Sequence, residues 1–197
     1  MKSSNIPRSY QVIAEMIKKG ASVLDLGCGN GELLALLIKE KGVRSQGIEI
    51  DERAIYECVS KGLNVFHGDI DSGLAEYKDD TFDYVILNES LQQVKHPEIV
   101  LREAVRVGKK VIVGFPNFAH YSARFQLFFW GIAPVTKALP YTWYLTPNIR
   151  CLSIRDFINF CKLHNLKIEK SIFLSGRHKI KLFVNLLAET GIFLVSK

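Results

Sequence analysis

One short segment constrains the fold more than any other: the apolar run Ser22–Leu26, followed at once by Gly27, Gly29 and Gly31. The apolar run predicts a buried strand, and residues Glu32 to Lys41 have the spacing of a helix. Glycine permits positive φ and leaves no Cβ in the way of a ligand. A strand, a glycine turn and a helix in this order predict a ligand-binding loop at the carboxyl end of a parallel strand.

The alternation of strand and helix continues along the chain. Four further apolar segments predict parallel strands, because short strands that alternate with helices are typical of βαβ units: RSQGIEI, LNVFHGD, FDYVILN and KKVIVGF. Helices are predicted for Tyr10 to Lys19, Arg53 to Ser60, Glu98 to Val107 and Ser153 to His164. Two last strands, Leu166 to Leu174 and Gly191 to Ser196, are expected to pair antiparallel at the sheet edge. We therefore expect an α/β fold with a doubly wound, seven-stranded, mostly parallel sheet.

The composition limits the classes of protein to which this sequence can belong. The 197 residues are 48% hydrophobic and 23% charged, which predicts one folded domain over residues 1–197, with an aromatic-rich insert at 116–150. The four cysteines have no metal-binding spacing, and no segment reaches the roughly 18 apolar residues of a membrane span. We expect a cytoplasmic protein with reduced thiols and no metal.

Charge is distributed unevenly along the chain. Residues 1–103 carry 17 acidic and 12 basic side chains, whereas residues 104–197 carry 3 acidic and 14 basic ones. Such asymmetry indicates either an acidic partner or anionic ligand on the second half, or simply a solvated basic face. The basic residues are scattered rather than clustered, so nucleic acid is not an expected partner.

The glycine spacing discriminates between ligands. A dinucleotide-binding fingerprint would need glycine where Glu32 stands, and a phosphate-binding P-loop motif is absent. A glutamate at the start of the helix repels a pyrophosphate. The loop therefore favours a ligand that is not strongly anionic, and S-adenosylmethionine, which carries a sulfonium, meets this condition.

Acidic residues at successive strand ends support this interpretation. Glu49 stands where a carboxylate can accept both hydroxyls of a ribose, and Asp69 could accept from an adenine amino group. Asp25 could order the glycine loop or contact the ammonium group of the ligand. The predicted cofactor-binding set is Asp25, Gly27, Cys28, Gly29, Gly31, Glu49, Ile50, Asp69, Ile70 and Asn88.

The sequence resembles two groups of proteins, one within the other. VLDLGCGNG, GIEID and GDID resemble the motifs of class I S-adenosylmethionine-dependent methyltransferases, which implies a Rossmann-like fold and S-adenosylmethionine or S-adenosylhomocysteine as cofactor. The methionine biosynthesis protein MetW family is similar in six segments: GELLALLIKEKGV, NVFHGDIDSGLAEY, FDYVILNESLQ, VGFPNFAHYSARFQLFFWG, PVTKALPYTWYLTPNIR and CLSIRDF. The second resemblance covers almost the whole chain, and it implies a protein of methionine biosynthesis that accompanies and activates homoserine O-acyltransferase. Methyl transfer to a small metabolite or lipid-like substrate is the alternative function.

No catalytic residue is assigned from the sequence. Glu89 could act as a base, but we expect it to cap the helix that follows. The insert holds many of the aromatic residues, including Trp130 and Trp143, and allows three interpretations beside core packing. It could be a lid that brings PNFAHY and WYLTPN to the cofactor, a docking surface for a protein partner, or a helix on a membrane surface. The family resemblance favours the docking surface over membrane contact.

Overall fold

The computed structural model describes residues 6–197, and an eight-stranded sheet runs through them. The strands are β1 (Ser22–Leu26), β2 (Arg44–Glu49), β3 (Val65–His67), β4 (Phe82–Asn88), β5 (Gly108–Pro116), β6 (Lys167–Ser175), β7 (His178–Lys179) and β8 (Thr190–Ser196). Their order across the sheet is β3-β2-β1-β4-β5-β8-β6-β7. The first five strands are parallel, and β8 runs antiparallel to both β5 and β6.

Helices cover both faces of this sheet. They are α1 (Arg8–Met16), α2 (Glu32–Lys41), α3 (Glu52–Ser60), α4 (Pro97–Val107), α5 (Tyr121–Phe125), α6 (Ile154–Leu163) and α7 (Val184–Leu187). One buried cluster joins α1 and α2 to the sheet, and it includes Ile86. The other joins α4 and α6 to the sheet and includes Val85 and Leu87. Neighbouring residues of β4 thus face opposite clusters, as the alternation of side chains along a buried strand requires.

The predicted doubly wound, mostly parallel sheet is confirmed, with one more strand than expected. The additional strand, β7, has two residues and follows a turn at Gly176, where φ is 55°. A strand this short has no periodicity that a sequence pattern could reveal. The predicted antiparallel pair is β6 and β8, with β8 inside the sheet and β6 next to the edge strand β7.

Regular structure also occurs inside the insert. The five residues of α5 continue into a π-helical turn over Gln126–Trp130, which ends at Gly131. The rest of the insert, up to residue 150, is irregular. Regular structure then resumes with α6, whose Ser153 and Asp156 form a complete capping box, each side chain accepting the backbone N–H of the other residue at 3.2 Å.

Candidate functional site

A cavity of about 660 Å³, here called the first cavity, opens at the carboxyl ends of the parallel strands. Parallel strands bring these ends to one edge of the sheet, which is why residues distant in sequence meet there. Nine of the ten residues predicted to bind a cofactor line this cavity: Asp25, Gly27, Cys28, Gly29, Glu49, Ile50, Asp69, Ile70 and Asn88. Their assignment to a cofactor stays a prediction, but their convergence on one cavity is a property of the fold.

Two glycines of the loop have different roles. Gly27 has a φ of 75°, and a Cβ at this position would lie 2.8 Å from the Cβ of Ser90. Gly29 has a φ of 53°, and a Cβ there would meet no atom within 4 Å. The fold therefore requires a glycine at position 27 for close packing, whereas Gly29 keeps the cavity that it lines free of a side chain.

Gly31 lies outside the first cavity. It precedes α2 with a φ of 76°, and a Cβ at this position would collide with Leu63 and Cys58. The structure thus gives Gly31 a packing role against α3 and the segment after it. The sequence pattern could not separate this role from ligand contact, because both require the absence of a side chain.

The Glu49 carboxylate is buried and already accepts three backbone hydrogen bonds. Oε2 accepts from the N–H of Gly29 at 2.7 Å, and Oε1 accepts from Ile50 at 2.8 Å and Asp51 at 3.0 Å. A carboxylate has roughly four acceptor sites, so about one remains for a ligand. The predicted contact with two ribose hydroxyls would require the bond to Gly29 to loosen. Glu49 thus joins the end of β2 to the glycine loop.

Replacing Glu49 by glutamine is expected to affect both folding and ligand binding. The amide NH₂ would face a backbone donor, and we expect a loss of on the order of 1.5–3 kcal/mol in the free energy of unfolding. The affinity for S-adenosylhomocysteine should fall by at least about tenfold. Urea unfolding and calorimetric titration measure the two effects. Glu52→Gln, an exposed carboxylate at the start of α3, is the control, and equal behaviour of the two variants would contradict this role of Glu49.

Asp25 is the most deeply buried acid of the first cavity, with 2% of its surface exposed. Burial, and secondarily the Glu49 carboxylate, raises the pKa of Asp25 to about 7. Its carboxyl group is therefore easily protonated in the free protein, and a cation placed beside it would favour the ionised form. This environment is compatible with contact to a ligand ammonium group, and it does not distinguish that role from ordering of the loop.

The raised pKa of Asp25 predicts a pH dependence of stability. The folded state binds the proton more tightly than the unfolded state, whose aspartate has a pKa of 3.8. The resulting stabilisation is fully present below that value and is lost as the pH rises to about 7. In Asp25→Asn this part of the pH dependence should disappear, which urea unfolding at pH 4, 5, 6 and 7 measures. Parallel pH profiles for the two proteins would contradict the assignment.

The acids after β3 organise the other wall of the cavity. Asp69 accepts from the N–H of Asp71 at 2.9 Å. Asp71, which was not among the predicted residues, accepts at 2.8 Å from the N–H groups of both Lys95 and His96. Asp71 therefore connects this wall to the loop before α4. Its place in the GDID segment was a signal for such a role, but the distant partners were not visible in the sequence.

Cys28 contributes shape rather than reactivity. Its side chain is buried, and burial raises the pKa of the Cys28 thiol well above its usual range. The thiol therefore stays protonated and is a poor nucleophile. Cys58, also buried, donates to the carbonyl of Gly29 at 3.2 Å and packs with Cys28, Leu34 and Leu63.

Glu89 does not cap the next helix, contrary to the expectation from the sequence. Its backbone has a φ of 59°, and its N–H donates to the carbonyl of Gly114 at 2.7 Å. Its own carbonyl accepts from the side-chain amides of Gln92 at 2.9 Å and Gln93 at 2.7 Å. Within residues 6–197 the carboxylate accepts no hydrogen bond, because the turn directs it away from the following N–H groups and into the wall of the first cavity.

The charge of the first cavity is mostly negative. Its lining includes one basic residue, Lys95, and six acids in the part of the chain described: Asp25, Glu49, Asp51, Asp69, Asp71 and Glu89. Such a lining repels a pyrophosphate and attracts a cation. No cluster of three or more metal-binding side chains occurs within residues 6–197. In the same range, none of the helices has the length and apolar character required to cross a membrane.

The insert places aromatic side chains on the surface. Its aromatic patch comprises Phe125, Phe128, Phe129 and Trp130, which are between 48% and 82% exposed. Their rings contact one another, with centroids 4.5 Å apart for Phe125 and Phe129. Core packing therefore does not account for them. The segments PNFAHY and WYLTPN, expected near the cofactor if the insert were a lid, do not line the first cavity.

The insert also contains an apolar cavity of about 270 Å³, here called the insert cavity. Its walls include Phe118, Leu139, Tyr141 and Trp143. Gln92 lines it too, is buried, and has a side-chain oxygen without a hydrogen-bond partner in the described residues. A pocket of this kind can receive an apolar side chain that carries a hydrogen-bond donor.

Comparison with known proteins identifies the fold and the family. A crystal structure of an S-adenosylmethionine-dependent methyltransferase from Mesorhizobium loti superposes with a TM-score of 0.72 at 12% identity, over 96% of this chain and 98% of that one. This likeness establishes the class I methyltransferase fold. Ribosomal protein L11 methyltransferase of Burkholderia lata is 34% identical over 101 residues, which are 50% of this chain and 33% of that protein.

The more extensive relative is the bifunctional methionine biosynthesis protein MetXA/MetW of Rhodopirellula baltica. It is 36% identical over 170 residues, which are 82% of this chain but 27% of that protein. The chain thus spans about a third or less of the length of these two curated relatives. The family model described as methionine biosynthesis protein MetW matches residues 8–195. Since this match covers nearly the whole chain, the protein belongs to the MetW family of methionine biosynthesis proteins.

Proposed function

We propose that this protein binds S-adenosylmethionine or S-adenosylhomocysteine in the first cavity and acts as a partner of homoserine O-acyltransferase. Two features support binding of this cofactor: the acidic lining of the first cavity, and Gly29, which places no side chain in it. When bound, S-adenosylmethionine supplies a cationic sulfonium and a transferable methyl group. The chain contributes Glu49 and Asp69 for hydrogen bonds, Asp25 for a positive charge, and Ile50 for apolar contact.

The observation that carries the partnership is the Rhodopirellula relative, whose name joins MetXA and MetW in one polypeptide. Fusion of two proteins in one organism is typical of partners that associate as separate chains in another. The resemblance to the MetW family supplies the identity of the partner as a homoserine acyltransferase.

The insert is the surface that suits such a partner best. Exposed aromatic residues are enriched at the centres of protein interfaces, and anchors there insert into apolar pockets. The aromatic patch and the insert cavity provide both features on one segment. No acidic residue occurs between Ala104 and Arg155, so a partner surface of negative charge would be complementary.

Size-exclusion chromatography of a mixture tests the partnership. The purified homoserine acyltransferase of the same organism is combined with this protein, with and without S-adenosylhomocysteine. We expect the two proteins to elute together at the mass of a complex. Separate elution at micromolar concentrations under both conditions would contradict the proposal.

A second candidate function is methyl transfer to a small metabolite. One observation favours it: a second cavity meets the first at Glu89, so that an acceptor could lie next to a bound cofactor. This function needs no catalytic triad, because methyl transfer requires mainly that nucleophile and methyl group are held in line. The two candidate functions are compatible within one protein.

A further inference from the structure

A second cavity of about 330 Å³ lies beside the first. It is bounded by the start of α1, the ends of β4 and β5, part of the insert, and the turn after β6. Glu89 lines both cavities, and it is the one residue that does so within the described part of the chain. A volume of this size accommodates a small metabolite rather than a polymer.

The charged side chains of the second cavity are not all engaged. Arg8 donates to Gln11 at 2.8 Å, and Glu189 accepts from the N–H of Gly176 at 2.7 Å. The carboxylate of Glu89 and the ammonium group of Lys137 have no hydrogen-bond or ion-pair partner among residues 6–197. The Glu89 side chain is exposed, so a ligand in either cavity can reach its carboxylate without displacing a protein partner.

The backbone of Glu89 holds its carboxylate in this position. A residue with a side chain rarely adopts the left-handed conformation seen here, with a φ of 59°. Three hydrogen bonds, from Glu89 to Gly114 and from Gln92 and Gln93 to Glu89, maintain it. Strain that the surroundings maintain in this way is characteristic of binding sites.

The environment of Glu89 suits a cation. Desolvation raises the pKa of the Glu89 carboxyl group. The pKa of Tyr10 is raised to about 12, mainly by burial and secondarily by the charge of Glu89. The phenol of Tyr10 therefore stays protonated and adds no second negative charge beside the carboxylate. A protonated amine would restore the hydrogen bonds and the charge balance that Glu89 lacks.

We propose that Glu89, where the two cavities meet, binds the protonated amine of a small molecule held next to the cofactor. Lys137, on the wall of the second cavity, favours a ligand that also carries an anionic group. This inference rests on the proposed binding of S-adenosylmethionine in the first cavity. It adds a site for a second, amine-bearing ligand, which that binding alone does not require.

Sinefungin is the probe that tests this site. It is an analogue of S-adenosylmethionine in which an amine-bearing carbon replaces the methyl-bearing sulfur, so its amine extends from the nucleoside as the transferable methyl does. Affinities of sinefungin and S-adenosylhomocysteine are measured by calorimetry for the wild type, Glu89→Gln and the control Glu52→Gln. We expect the wild type and the control to prefer sinefungin by about tenfold or more, and Glu89→Gln to lose this preference.

The outcomes separate the site from the proposed function. An unchanged preference in Glu89→Gln, or no preference in the wild type, would overturn the site while leaving cofactor binding intact. Failure of the wild type to bind either nucleoside would overturn cofactor binding, and the site with it. Thermal unfolding of Glu89→Gln shows whether the variant is folded. If it is not, Glu89→Asp replaces it, since a shorter carboxylate should reduce the preference without removing it.

Discussion

Replacing Gly29 by valine is expected to abolish binding of S-adenosylhomocysteine. The new side chain would extend into open space beside the first cavity, where no protein atom lies within 4 Å of the Cβ. It would also place a β-branched residue at a φ of 53°, a conformation that such residues avoid. We expect an affinity loss of at least about 100-fold, equivalent to roughly 2.7 kcal/mol, by calorimetry.

A second glycine provides the matched control. Gly20 also has a positive φ, 70°, and also has no atom within 4 Å of a built Cβ, but it lies outside the first cavity. Gly20→Val should therefore show a similar loss of stability and normal affinity. Normal affinity in Gly29→Val would show that the ligand does not approach the glycine loop.

Truncating the aromatic patch is expected to weaken the complex with homoserine acyltransferase. Trp130 and Phe129 are 62% and 63% exposed, so their replacement by alanine should leave the core intact. Truncation of an interface anchor typically costs about 2 kcal/mol or more, which is roughly thirtyfold in affinity. Binding of each variant to the immobilised acyltransferase gives the affinity, and titration with S-adenosylhomocysteine shows that the first cavity is unaffected.

Controls distinguish docking from the other roles of the insert. Tyr56→Ala removes an aromatic residue that is 72% exposed on α3, outside the insert, and should bind the partner normally. Binding of the Trp130 and Phe129 variants to lipid vesicles is measured as well. If these variants lose vesicle binding but bind the partner normally, the aromatic patch contacts a membrane surface instead. Arg124 is less suitable for charge reversal, because its Nε donates to the carbonyl of Ala119 at 2.6 Å.

The sequence predicts the sheet and most of the first cavity because both depend on local patterns. Apolar strands alternate with helices, and in a parallel sheet this order alone brings Gly29, Glu49 and Asp69 to one edge. The MetW family was identified from segments that include the insert, and the family model confirms that identification. Position at the end of a parallel strand thus predicts which residues line the same cavity.

Other features depend on contacts between distant segments and were not predictable. Gly31 faces Leu63, thirty-two residues later in the sequence, and no local pattern reveals that packing. The carboxylate of Glu89 is free because the turn after β4 is left-handed. The sequence does not indicate this turn and predicts instead that Glu89 caps the next helix. The second cavity combines segments from both ends of the chain, including Arg8 and Glu189, and exists only once the sheet has formed.

We propose that this member of the MetW family acts through homoserine acyltransferase. The decisive measurement is the initial rate of acyl transfer to homoserine by the purified acyltransferase, with increasing amounts of this protein and with S-adenosylhomocysteine present. We predict that the rate rises and saturates near equal molar amounts of the two proteins, and that Trp130→Ala shifts saturation to higher concentration. A rate that stays constant at every ratio would contradict the claim.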